Sequence, residues 1–144
     1  MHVEGTLALD ENGKFLGLRL VSNNNVGAFI TMIGFLSTNG VASAVTGPYS
    51  TPSVHGVGRA VLTNTVPVSN YRAPGGAPSA YVIERMVDIA AAEMGIDPAE
   101  IRKRNLIPAE QMPYRCPTGE TYDCGDFEKV LHKCLKTADY KGAQ

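Results

Sequence analysis

Arg72 stands at the head of a run that can do chemistry: Asn70, Tyr71, Arg72, Ala73, Pro74, Gly75, Gly76, Ala77 and Pro78. Proline fixes φ and has no N–H, whereas glycine permits positive φ and a close backbone approach. Such a run is loop, and the residues after it read as a helix. The free N–H groups and the dipole at a helix start both favour an anion. The loop can therefore offer backbone amides and one cation to an anionic ligand. A plain strand-to-helix turn with an incidental arginine fits the same spacing, because a Gly-rich loop before a helix is a weak signal.

The other reactive side chains form no complete set. His132 and Cys134 are two apart on a helical stretch and diverge. Cys116 and Cys124 enclose seven residues, which matches no zinc pattern. His2 and His55 each sit alone in strand-like sequence. Ser79 opens a helix after a Gly-rich turn but lacks the Gly-x-Ser-x-Gly pattern of a nucleophile elbow. No pair of carboxylates is poised for acid–base work. The residues by themselves give one candidate binding loop, no metal site and no catalytic residue.

Composition narrows the setting. A chain of 144 residues with 13 basic and 14 acidic side chains fits one domain with a real core. No basic stripe favours nucleic acid, and no apolar run is long enough to span a membrane. Three cysteines, an odd number, favour a reducing compartment. The first five residues have neither the charge nor the apolar core of a signal peptide. Met1 leads straight into strand-like sequence, the beginning expected of an excised piece of a larger protein.

The elements that must position the loop follow from periodicity. Residues 3–9 alternate, Asn12-Gly13 marks a hairpin turn, and Phe15 to Val21 reads as the return strand. Asn23-Asn24-Asn25 interrupts that strand, as a bulge, a cavity lining or a solvated edge. Val26 to Leu36 reads as strand passing into loop, and Ser37 to Thr46 as a short helix. Gly47-Pro48 through Pro52 is a break, and Val54 to Thr65 a third strand ending at Pro67. Ile83, Met86, Val87, Ala90 and Met94 recur at helical spacing, with Gly95 as the C-terminal glycine. Asp97-Pro98-Ala99-Glu100 resembles a capping box opening a helix from Pro98 to Arg104. Asp126 caps a last helix with Phe127, Val130, Leu131, Cys134, Leu135 and Ala138 on one face. The fold class is α+β. A small, mainly antiparallel sheet of three or four strands packs on two or three helices, chiefly Pro78–Met94 and Asp126–Ala138.

The order of these motifs resembles a known family. Gly47-Pro48-Tyr49 with Pro52, Thr63-Asn64-Thr65 with Pro67, and Tyr71-Arg72 come first. Ile83-Glu84-Arg85-Met86 and the run Gly95 to Pro108 follow, then Pro113-Tyr114, Tyr122-Asp123, Gly125-Asp126-Phe127 and Ala138-Asp139-Tyr140. Together they are similar to the molybdopterin-binding large subunit of the xanthine dehydrogenase, aldehyde oxidase and carbon monoxide dehydrogenase family. The resemblance covers essentially the whole chain, and it makes residues 1–144 a single-domain fragment of a larger molybdopterin-binding domain.

The resemblance implies an oxidoreductase parent. Such a subunit holds a molybdenum–pterin cofactor, hydroxylates a substrate carbon with oxygen from water, and passes electrons through iron–sulfur clusters to a flavin or another acceptor. It implies cofactor contacts at Arg72, Ala73, Gly75 and Gly76, with the backbone at Arg72 meeting the oxygen ligands of the metal. Pro74 falls where xanthine-oxidising members carry a Phe on the substrate ring, so no aromatic clamp is expected. Ala73 falls where carbon monoxide dehydrogenases carry a copper-binding Cys, so no copper is expected. The Arg that grips purines would fall near Gly40, and no Arg is close by. An aldehyde or a differently held N-heterocycle is then the implied substrate.

The general-base glutamate of the family and much of the pterin site lie outside the matched region. The chain is therefore expected to be inactive alone and to lack the cofactor by itself. Its expected partners are the remainder of the large subunit and iron–sulfur and flavin subunits or domains, with no nucleic acid and no membrane. A cytoplasmic setting is expected, or a periplasmic one for the parent. The alternative is a non-enzymatic binding or assembly module that reuses the fold. A stand-alone anion-binding protein has only the loop and the helix start behind it.

Overall fold

In the computed structural model, residues 70, 71, 73, 143 and 144, and the side chains at 33 and 37, lie outside the described residues. The first sheet has the order β1-β2-β3, with β1 (His2–Leu9), β2 (Phe15–Gly27) and β3 (Val54–Leu62). The predicted hairpin joins β1 and β2. Asp10 closes its turn, its side chain accepting from the Asn12 and Lys14 amides at 2.9 and 2.8 Å. β1 runs antiparallel to β2, whereas β3 runs parallel to it, so the sheet is mixed. A parallel pair needs a crossover. The crossover is α1 (Met32–Ser43), capped by Thr31, whose hydroxyl accepts from the Gly34 amide at 2.9 Å.

Three sequence expectations need correction here. Val26 to Leu36 is not mainly strand, because α1 begins at Met32, ahead of the helix expected from Ser37. The asparagine triplet does not end β2, which runs through it to Gly27, but the pairing with β3 shifts register between Asn25 and Gly27, in keeping with the bulge among the expected alternatives. Each asparagine side chain given a partner is held by one. The Asn24 amide donates to Ser22 Oγ at 3.2 Å on the buried face. Asn25 Oδ1 accepts from the Gly27 amide at 2.8 Å and from the Thr63 hydroxyl at 2.6 Å. A polar strand interior is stable when its groups are paired. The third strand stops at Leu62 rather than running to Pro67.

α2 (Gly76–Met94) starts two residues earlier than expected and buries Ser79, Ile83, Val87, Ala90 and Ala91. This face meets Leu18 and Leu20 of β2, Val41 and Val45 from α1 and its end, and Tyr49 and Ile101 in one core. Gly95 ends α2 in the left-handed region (φ 64°), and the Ile96 amide reaches back to Ala91 O at 2.9 Å. That is the Schellman ending expected of the glycine. α3 (Pro98–Asn105) is capped by Asp97, which accepts from the Ala99 and Glu100 amides. The Glu100 carboxylate takes the Arg104 guanidinium at 3.0 Å.

A short 3-10 turn (Ala109–Gln111) leads to a two-residue antiparallel pair, β4 (Tyr114–Arg115) and β5 (Thr121–Tyr122). α4 (Phe127–Thr137) is capped by Asp126 as expected. It does not pack on the sheet: none of its residues is buried, and Val130 is 61% exposed. Its apolar face instead lines an open groove with the start of α3.

Candidate functional site

The site is the start of α2. Gly75 holds the N-cap position with φ 82° and no side chain to cap the helix. No acidic residue lies in the first turn. The first-turn amides therefore have no side-chain acceptor, the condition under which an anion is favoured. Arg72 and Pro74 are exposed just ahead of it, Gly76 is half-buried and Gly75 is buried. Among the described residues Arg72 makes no ion pair. Ala73, with Asn70 and Tyr71, lies outside the described residues.

Gly75 has a packing role that its sequence did not reveal. A Cβ there would lie 2.6 Å from Gly40 C and 2.8 Å from Val41 N of α1. A Cβ at Gly40 would lie 2.7 Å from Pro74 O. The two glycines let α1 and the loop touch backbone to backbone. Ser79, 1% exposed, sits under this contact. Its hydroxyl lies 2.6 Å from Gly75 O, 3.0 Å from Val41 O and 3.3 Å from Gly40 O. This packing contact accounts for Gly75 without a ligand, whereas it does not account for the exposed Arg72 or the uncapped amides.

Two helical turns further along α2, the Glu84 and Asp88 carboxylates are both paired. Glu84 accepts from the Tyr49 hydroxyl and from Arg102 Nε, both at 2.8 Å. Arg102 Nη2 also donates to Asp88 at 2.8 Å, and Nη1 to Pro98 O at 2.9 Å. Burial raises the Tyr49 pKa above that of free tyrosine, and Glu84 raises it further. Burial works against the Arg102 cation, but Asp88 and Glu84 outweigh it and hold the guanidinium more firmly protonated than usual. Asn105 is a second clamp, 1% exposed. It accepts from the Phe15 amide and donates to Gly13 O and Ile101 O, each at 2.8 Å. Glu84, Arg102 and Asn105 lie within the motif runs but join across 14 to 92 residues, so periodicity could not pair them.

The cysteines are all free, with Cys116 buried and Cys124 and Cys134 exposed. Among the described residues no three His, Cys, Asp or Glu side chains cluster as metal ligands. Among the described residues no helix is long and apolar enough to cross a membrane. The groove between α3 and α4, about 860 Å³, is lined by Asp97, Lys103, Lys129, Leu131 and Leu135 among others and does not include the loop.

Comparison with known proteins decides the family. The family described as molybdopterin cofactor-binding domain matches residues 1–106. The chain belongs to that family. It is 37% identical over 139 residues to the gamma subunit of the 6-hydroxypseudooxynicotine dehydrogenase complex of Paenarthrobacter nicotinovorans, covering 93% of this chain and 18% of that one. The fold matches quinoline 2-oxidoreductase from Pseudomonas putida 86 with a TM-score of 0.90 at 29% identity, over 97% of this chain and 18% of the other. It matches a Cu,Mo-carbon monoxide dehydrogenase with a TM-score of 0.86 at 30% identity, over 99% and 18%. The chain thus spans about a fifth of the length of these relatives. The α+β fold expected from the sequence is the fold of these neighbours.

Proposed function

We propose that residues 1–144 form one domain-sized piece of a molybdenum hydroxylase large subunit and present the loop 72–76 to its molybdenum–pterin group. The supporting observation is the α2 N-terminus, which has neither a capping side chain nor an acid in its first turn. Such an end suits a group rich in anionic oxygen. The residues that would hold the group are Arg72, Ala73, Gly75 and Gly76, with Pro74 toward the substrate. When bound, the group would supply the two-electron acceptor for hydroxylation of a substrate carbon with oxygen from water. The part of this chain is to donate backbone N–H groups, to place the Arg72 cation nearby and to wall off one side.

Ala73 has no sulfur to offer a second metal, so the reading includes no copper, although one structural neighbour is a copper–molybdenum enzyme. Aldehydes and N-heterocycles are the proposed substrate class. The piece is inactive alone and does not keep the cofactor by itself. It needs the remainder of the large subunit, with iron–sulfur and flavin modules to carry electrons away. A cytoplasmic parent suits three free thiols.

One end of the molecule supports the need for a larger parent. Phe29, Met32 and Phe35 around the start of α1 are 62%, 83% and 55% exposed. Leu62 and Val66, at the end of β3 and just beyond it, are 60% and 82% exposed. The Ala28 amide donates to Thr65 O at 3.0 Å and so brings these two segments together. Exposed apolar side chains on two neighbouring segments are what an interface with the rest of a parent would cover.

The test is molybdenum, copper and pterin analysis of the full-length parent purified under cofactor-replete conditions. About one molybdenum per chain without copper is the expected result. Well-folded protein with neither molybdenum nor pterin would leave the assembly-module reading.

A further inference from the structure

We infer that Gly40 of α1 and Ser79 of α2 are positioning residues that set the height of the loop 74–76. The inference rests on the proposed cofactor role of that loop. Three observations carry it. The backbone of Gly40 is in van der Waals contact with the loop, leaving no room for a Cβ on either side. The Ser79 hydroxyl faces carbonyls from both partners, closest to Gly75 O at 2.6 Å, with Val41 O at 3.0 Å. The Ser79 amide also donates to Gly75 O, at 3.0 Å.

A hydroxyl has one proton, so it cannot satisfy three carbonyls at once. Its shortest bond fixes Gly75 O, and the α1 carbonyls bound the space in which it turns. The first-turn amides of α2 therefore take their position from α1, through contacts that involve no side chain of the loop. A Cβ on Gly40 must push Pro74 and Gly75 outward, because it would lie 2.7 Å from Pro74 O.

Helix propensity makes the test discriminating. Alanine is preferred to glycine inside a helix, so Gly40→Ala leaves α1 at least as helical while its methyl group displaces Pro74 O. The test uses the full-length parent carrying Gly40→Ala, Ser79→Ala or Gly56→Ala. Gly56→Ala crowds the other side of α1, where its Cβ would lie 3.2 Å from the Ala42 Cβ, and spares the loop. Molybdenum per chain and amide hydrogen exchange over residues 74–80 are read beside the melting temperature.

Gly40→Ala is expected to lower molybdenum content at least fivefold and to speed exchange at residues 75–77 at least tenfold, beyond what any change in its melting temperature accounts for. Ser79→Ala is expected to do the same to a smaller degree, about twofold in molybdenum. Gly56→Ala should leave both at wild-type values. Folded Gly40→Ala protein with wild-type molybdenum and wild-type exchange would overturn the inference. If Gly40→Ala does not fold, wild-type values for Ser79→Ala overturn it equally. Wild-type protein without molybdenum is a failure of the proposed function; the exchange rates then still decide whether Gly40 and Ser79 place the loop.

Discussion

The two ends of α2 are built on opposite plans. At its start, Gly75 caps the helix without a side chain, and Arg72 stands exposed beside first-turn amides that no side chain caps. Further along, Glu84 and Asp88 are locked to Arg102, Tyr49 to Glu84, and the neighbouring α3 to the β1–β2 turn through Asn105. Buried polar groups are normally paired, so the second plan is what stability alone would produce. The first plan leaves binding capacity in hand. Under the proposed function the far half of α2 maintains the fold and its beginning meets the ligand.

The contrast can be broken from the stable side first. Asn105→Ala strands the Phe15 amide and Gly13 O in the interior, and stranded groups cost about 1–3 kcal/mol each. Chemical denaturation of the 144-residue chain should register a loss of about 3 kcal/mol. Arg102→Met comes next. It removes the shared donor of Glu84 and Asp88, but both carboxylates are nearly half exposed. Water therefore recovers part of the loss, and about 1–2 kcal/mol is expected in the same measurement.

The sequence made these two halves unequally legible. β1, the hairpin, α2, α3 and the cap of α4 followed from alternation, helical spacing and the residues Gly95, Asp97 and Asp126, all local signals. α1 was largely hidden because Gly34 and Gly40 lie inside it and it carries no charged face. The continuity of β2 was hidden because the partners of Asn25 are Thr63 and Thr65, nearly forty residues away. The parallel pairing of β3 depended on recognising α1 as the crossover. α4 has the apolar stripe of a packed helix, yet its stripe is left in an open groove, which no local signal records. At the site, the loop and its arginine were visible as a break before a helix. The contact between Gly75 and Gly40 was not, since it joins two glycines that have no pattern of their own.

Alkaline pH sharpens the comparison further. The folded chain holds the Tyr49 proton more tightly than the unfolded chain, whose tyrosine titrates near pH 10. This contribution is full below about pH 10 and is lost as pH rises, by at most about 1.4 kcal/mol per pH unit. Stability measured from pH 8 to 11 should fall above about pH 10. Tyr49→Phe should flatten that limb while costing about 1 kcal/mol at neutral pH for the lost hydrogen bond.

The smallest stability effect belongs to the open end. Arg72→Ala changes an exposed side chain, so unfolding free energy should stay within about 0.5 kcal/mol of wild type. Its effect should appear instead as lower molybdenum retention by the full-length parent during dialysis.

The most direct test of a ligand-facing α2 start is hydrogen exchange of the full-length parent, prepared with and without its cofactor. Amides buried against a ligand are protected from exchange. The account predicts at least tenfold slower exchange at Gly76 and Ala77 when the cofactor is present, with Glu84 and Asp88 unchanged. Equal rates at Gly76 and Ala77 in cofactor-loaded and cofactor-free protein would contradict it.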